Sequence, residues 1–106
     1  MDYIIRGFVY LLLSLKDKRS YLGSTPDINR RLKDHENGKC KSTKDRRPLK
    51  LIYQEEYDNL SKARKRERYL KTRNGRRELK KIFDKLNNPQ KTTNQINKKN
   101  YFNRVR

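Results

Sequence analysis

A single cysteine, Cys40, occurs in the 106 residues of this chain. An internal disulfide and a multi-cysteine zinc site are therefore excluded, and the usage fits a reducing, cytoplasmic compartment. Long hydrophobic runs are missing too. Phe8–Leu15 (FVYLLLSL) falls far short of the ~20 apolar residues that a membrane-spanning helix needs. It has no cleavage site and runs straight into Lys16-Asp17-Lys18-Arg19, so a buried strand is expected, with no membrane association. Acids are scarce as well: 12 Asp and Glu stand against 30 Lys and Arg, a formal net charge of +18. Such a field favours a polyanion, DNA or RNA. Ribosomal and other structural RNA binders share this composition, so charge identifies a class of partner and no chemistry.

What is present is enough for one small domain. Phe8–Ser14 reads as a strand, Lys16–Arg19 as a turn and Ser20–Gly23 as a second strand, together a hairpin. Thr25-Pro26-Asp27 supplies a candidate N-cap, a proline at the first helical position and an acid in the first turn. The helix that follows has Ile28 and Leu32 on its apolar side and is expected to stop near Asn37-Gly38. After a polar basic loop, Leu49–Tyr57 is a third strand, with Leu49, Leu51, Tyr53, Glu55 and Tyr57 expected on one face. Ser61 is the candidate cap of the next helix, which Asn74-Gly75 should break. A last helix, Arg76–Leu86, carries Leu79, Ile82, Phe83 and Leu86 at core spacing. The expected fold is α+β, in the order β-β-α-β-α-α, with a short three-stranded sheet, mixed or antiparallel, flanked by helices. The domain is expected over residues 1–86. Residues 87–106 hold five cations and no acid, and read as a disordered basic tail that attracts nucleic acid without specificity.

Glu67 stands out within Ser61–Lys71 (SKARKRERYLK). Ala63, Glu67 and Leu70 share the stripe that should face the core, while six cations cover the rest of the helix. A carboxylate there costs free energy unless it is paired or binds a metal, so the two readings are a salt bridge to a neighbouring Arg and a metal ligand. Arg31 and His35 lie one turn apart, at the expected border between core and solvent. An Arg there can hold a phosphate through two N–H groups, and a His can relay a proton near neutral pH. A solvated helix edge would present the same pair. Tyr10 and Tyr21 fall on the two hairpin strands, either as half-buried packing residues or as proton-transfer groups. Ionising a phenol at pH ~7.5 costs roughly 3–4 kcal/mol, and nearby cations lower that cost. Gly23, directly after them, would let backbone approach a ligand or the next helix.

Taken together, these residues resemble the GIY-YIG endonuclease domain. Phe8-Val9-Tyr10 stands at the first signature tripeptide and Tyr21-Leu22-Gly23 at the second, within SYLGSTPDINRRLKDH. Arg31 and His35 follow at the family's offsets, and KSTKDRRPLKLIYQEEYDNLSKARKRERYLK resembles the stand-alone bacterial branch related to the excision-repair incision subunit. The resemblance covers about residues 6–83. Phe8 and Val9 replace the opening glycine and isoleucine, Ser24 stands where the incision subunit has a lysine, and the late asparagine of some members has no counterpart, since Asn74 lies too close to Glu67.

The resemblance implies a metal-dependent endonuclease acting on DNA, with repair one of several possible settings. Glu67 would hold one Mg²⁺ (or Mn²⁺), Tyr10 or Tyr21 would take the proton of the attacking water, and Arg31 would stabilise the charge growing on phosphorus. His35, at the rim of the cleft, would orient the water or the second tyrosine. Lys33, Lys44, Arg46, Arg47, Arg64, Lys71, Arg73 and Arg76 are the cations expected to meet the nucleic-acid backbone. A domain this small normally borrows its targeting from a fused domain or a protein partner. The competing expectation is a non-catalytic basic module that binds DNA or structural RNA.

Overall fold

The computed structural model describes residues 6–87; the expected tail, apart from residue 87, lies outside the described residues. The hairpin is formed by β1 (Gly7–Ser14) and β2 (Ser20–Thr25), and α1 (Ile28–Glu36) follows. A single 3₁₀ turn at Lys44–Arg46 leads into β3 (Leu49–Tyr57), then α2 (Leu60–Leu70) and α3 (Arg73–Asn87). The sheet is antiparallel with order β2-β1-β3. The most apolar strand thus sits in the centre, as a strand buried on both faces should. No helix among the described residues is long and apolar enough to cross a membrane.

Helices cover both faces of the sheet. Val9, Leu11 and Leu22 meet Ala63, Leu70, Leu79 and Phe83 of α2 and α3 in one cluster, with Ile52, Tyr53 and Tyr57 packed against it. On the other face lie Tyr10, Leu12 and Tyr21, toward α1. Gly7 permits the close approach of α2, since a Cβ there would come within 2.4 Å of the Asn59 carbonyl oxygen. Leu86, expected on the core stripe, is 45% exposed, because the cluster ends at Phe83.

Several boundaries differ from expectation for local reasons. Thr25 does not cap α1: it is the last residue of β2, and its Oγ1 accepts from the Asp27 backbone N–H. Asp27 is the cap, accepting from the Arg30 N–H. Likewise Asn59, rather than Ser61, caps α2 by accepting from the Lys62 N–H. The break between α2 and α3 falls at Lys71-Thr72, where the Thr72 hydroxyl accepts from the Gly75 N–H. Gly75 is there for closeness: a Cβ on it would overlap the Tyr69 carbonyl oxygen. In β3 a bulge separates the Leu11–Tyr53 pair from the Leu12–Leu51 pair. Directly paired residues point to the same face, so Tyr53 shares the α2–α3 side while Leu51 joins the α1 side. The expected single face of β3 is therefore split at Ile52.

Candidate active site

The site grows out of the β1–β2 register. Tyr10 pairs with Gly23 and Leu12 with Tyr21, which sets both tyrosines on the α1 face. Gly23 makes room for the Tyr10 ring, since a Cβ there would lie 2.6 Å from the phenol oxygen. Tyr10 is only 2% exposed, and its Oη lies 2.9 Å from His35 Nε2. His35 Nδ1 in turn lies 2.8 Å from the Thr43 hydroxyl. The Tyr21 ring closes the group, 6.3 Å from Tyr10 and 5.2 Å from His35 between centroids.

His35 corrects an expectation. It is 1% exposed, buried beneath the loop that follows α1 rather than standing at a rim. Thr43, fully enclosed, comes back over it from that loop. Burial, reinforced by the nearby Arg31 charge and opposed by Asp34, holds the imidazole below its usual pKa, hence neutral at pH 7. Burial also pushes the Tyr10 phenol well above its ordinary value; Tyr21 adds to this, Arg31 pulls against it, and Cys40 and Glu67 push further. Tyr10 is therefore protonated at neutral pH. Arg31 Nη1 donates to Cys40 Sγ at 3.7 Å, the chief reason its pKa is raised. The lone cysteine thus touches a candidate catalytic cation.

Glu67 approaches from the opposite face. It extends from α2 toward β2, where Ser24 Oγ donates to its Oε1 at 2.5 Å and Lys71 Nζ to its Oε2 at 2.7 Å. The salt bridge on this carboxylate is thus to Lys71, one helical turn on, and not to an Arg. Ser24 alternates with Tyr21 and Gly23 and so shares the side of Leu22. β2 is an edge strand, and at that edge Lys71, the partner of Glu67, comes to the same cavity as Tyr21, while Glu67 itself does not line it. A cavity of about 430 Å³ there is lined by both Tyr21 and Lys71. The carboxylate is also among the charges that push the Tyr10 phenol upward.

No group of three or more His, Cys, Asp or Glu able to cage a metal occurs among the described residues. Glu67 alone does suit Mg²⁺, a hard ion that commonly takes one or two carboxylates and completes its shell with water and substrate phosphate. Its side chain is 20% exposed, and the Lys71 side chain over Oε2 is 44% exposed, so the carboxylate is within reach of solvent. The fit is to a singly anchored hydrated ion.

The cations expected to meet nucleic acid divide into two sets. Lys33, Lys44, Arg64, Arg73 and Arg76 are exposed. Lys71 holds Glu67, and Arg46 is fixed by Asp17 at 3.0 Å. Arg47 donates to the Lys44 and Glu36 carbonyls at 2.9 and 3.2 Å. Sequence reasoning missed two residues that hold candidate groups in place. Ser24 was legible, since strand alternation puts it beside Leu22 and under α2. Thr43 was not, because only the folded loop brings it to His35.

A family model described as the GIY-YIG catalytic domain matches residues 6–82. A UPF0213 protein of Staphylococcus epidermidis is 45% identical over 78 residues, 73% of this chain and 94% of the relative. One from Staphylococcus saprophyticus is 42% identical over 80 residues, covering 74% and 96%. A third, from Syntrophus aciditrophicus, is 44% identical over 68 residues, covering 62% and 77%. No solved structure gives a significant match.

Proposed function

The chain belongs to the GIY-YIG family of nuclease domains, and from that membership we propose that it is a metal-dependent endonuclease that hydrolyses phosphodiesters in DNA. The observation that carries the reading is the sharing of one edge cavity by Tyr21 and by Lys71, the partner of Glu67. A phosphodiester lying over the β2 edge would meet the phenol from one side and the carboxylate from the other.

The roles follow from exposure and charge. Tyr21 is half-buried and faces the cavity, so it is the phenol that reaches the attacking water and accepts its proton. Tyr10, enclosed and protonated, is the second phenol that backs Tyr21. The buried Thr43 hydroxyl has no hydrogen-bond partner other than His35 among the described residues, so it donates to Nδ1. That leaves the Nε2–H of the neutral imidazole directed at the Tyr10 oxygen. The Tyr10 proton is then free to point out of this chain, toward Tyr21 and the substrate. Arg31, a permanent cation, stabilises the charge that develops on the phosphate oxygens. Glu67 is the residue that would hold Mg²⁺ or Mn²⁺, with Lys71 moving from the carboxylate to the phosphate. When bound, the ion supplies polarisation of the phosphate and neutralisation of the leaving oxygen.

The test is cleavage of a panel of branched, single-stranded and duplex DNAs by the purified chain, with and without Mg²⁺ or Mn²⁺. Metal-dependent scission of at least one substrate is expected. Binding without scission across the whole panel, with either ion, would reduce the chain to a nucleic-acid-binding module.

A further inference from the structure

The edge cavity holds more cations than the catalytic scheme uses. Its walls include Arg19 from the β1–β2 turn, Ser42 and Arg46 from the loop before β3, and Lys71 from the end of α2, with Tyr21 between them. Asp17 is the one acid, and it is committed: its carboxylate accepts from Arg46 Nε at 3.0 Å and from the Arg19 backbone N–H at 2.9 Å. Arg46 Nη2 donates in addition to the Ser20 carbonyl at 3.4 Å. The Arg46 guanidinium is therefore fixed in orientation and only 18% exposed, an arrangement that favours a specific anion over a diffuse counterion atmosphere. Arg19 has an exposed side chain and no partner for its guanidinium among the described residues. Ser42, also exposed, lines the same wall and carries a neutral donor.

We propose that the end of this cavity formed by Arg19, Ser42 and Arg46 is a binding subsite for a second phosphodiester of the nucleic-acid strand, adjacent to the one that is cut at the Tyr21 and Lys71 end. Arg19, Arg46 and Ser42 hold its non-bridging oxygens, and Tyr21 and Lys71 mark the side that opens on the scissile position. At about 430 Å³ the cavity has room for a phosphate together with part of its sugar. The subsite extends the nuclease reading, because it fixes where the strand lies along β2. Phosphate contacts of this kind set register and orientation without reading sequence. A duplex-bound strand and a free single strand present the same group, and the experiment separates them.

The full chain, labelled with ¹⁵N and kept in EDTA, is titrated with a thymidine dinucleotide, with its uncharged methylphosphonate analogue and with a short duplex. Saturable shifts are expected at the Ser42 amide and at the Arg19 and Arg46 Nε resonances with the charged dinucleotide, and none with the analogue. Arg19→Gln should weaken dinucleotide binding roughly tenfold, as the loss of a charge-assisted contact implies. Ser42→Ala should weaken it about threefold, an effect that long-range charge does not produce. Lys81→Gln, on the exposed side of α3, removes the same charge and should leave the shifts at Ser42 in place. Shifts confined to α2 and α3, or equal losses from Arg19→Gln and Lys81→Gln, would overturn the subsite. Shifts seen with the dinucleotide but not the duplex assign it to single strands; shifts with both assign it to either form. The readout involves neither metal nor turnover. A chain that shows the subsite yet cuts nothing loses the nuclease reading alone, and one that cuts without these shifts loses the subsite alone.

Discussion

Two carboxylates lie on the α2 face of the sheet, Glu67 toward the β2 edge and Glu55 on β3 at the other edge, and they are held in different ways. Glu55 on β3 receives four donors: Arg66 Nε and Nη2 at 2.9 and 3.1 Å, and the Tyr53 and Tyr57 hydroxyls, both at 2.6 Å. Arg66 also bridges to Glu78, which ties α3 into the same group. Burial alone would raise the Glu55 pKa, but the combined hydrogen bonds of Arg66, Tyr53 and Tyr57 hold it below the usual carboxylate range. Glu67, the next residue along α2 from Arg66, has two donors, and one of them is a half-exposed lysine. The first carboxylate has its acceptor sites filled by fixed groups and works as a brace. The second keeps room for another ligand. Charge and partial burial are similar at both places; the number and exposure of the donors differ.

The comparison breaks most visibly if Glu55 is made the weaker acceptor. Glu55→Gln should cost about 2 kcal/mol, discounted for the partial exposure of the pair and for the remaining Arg66–Glu78 bridge. For a domain of this size that corresponds to a loss of roughly 10 °C in melting temperature, measurable by calorimetry. Glu67→Gln should move the melting temperature by only a few degrees, since it breaks one partly exposed ion pair and leaves an amide oxygen that still accepts from Ser24. Equal losses would erase the distinction between brace and site.

Thr43→Val sharpens the other half of the site. It keeps the buried shape and removes the hydroxyl that lies 2.8 Å from His35 Nδ1, the group proposed to set the imidazole tautomer. The rate of DNA cleavage should fall roughly tenfold, and the ¹⁵N shifts of the imidazole should report a change of tautomer. Thr43→Ser should restore both. A rate loss without a tautomer change would make Thr43 a packing residue.

Ser24→Ala addresses the Glu67 side directly. Losing the 2.5 Å bond to Oε1 leaves the carboxylate less well oriented. The Mg²⁺ concentration for half-maximal cleavage should rise about fivefold, with kcat at saturating metal little changed. A fall in kcat with no metal dependence would place Ser24 elsewhere in the scheme.

The smallest effect is on stability against pH. The His35 pKa is depressed in the folded state, so the unfolded chain binds the proton first as pH drops. Stability should be fully present above about pH 6.5 and decline below it. Tyr10 works in the opposite sense: its pKa is raised by folding, so its contribution is present below about pH 10 and lost above. Denaturant midpoints measured across pH, for the wild type and His35→Gln, should show the acid limb flattened in the variant.

Much of this was legible in the sequence, for identifiable reasons. An acid on the Ala63–Leu70 stripe pointed to Glu67, and the hairpin pattern put Tyr10 and Tyr21 on its two strands, though their common face came only with the register. The strand and helix order also followed from local pattern. Depth did not. His35 reads as a helix edge until the loop carrying Thr43 folds over it, and that closure depends on tertiary contacts. The bulge at Ile52 turns Leu49 and Leu51 to the other face, which strict alternation cannot anticipate. The cap of α1 moved from Thr25 to Asp27 because Thr25 was taken up by β2 and its turn. The salt bridge of Glu67 was expected to go to a neighbouring Arg, but it goes to Lys71, one turn on along the same side of α2.

Cleavage of DNA by the wild type and by Glu67→Gln, each titrated with Mg²⁺ and accompanied by a binding measurement on the same substrate, tests the central claim most directly. The wild type should cut only with the metal, and the variant should lose at least a hundredfold in rate while binding as well or slightly better, because a negative charge beside the polyanion has been removed. A variant that cuts at the wild-type rate, or a wild type that cuts equally in EDTA, would contradict the assignment of Glu67 as the metal ligand of the site.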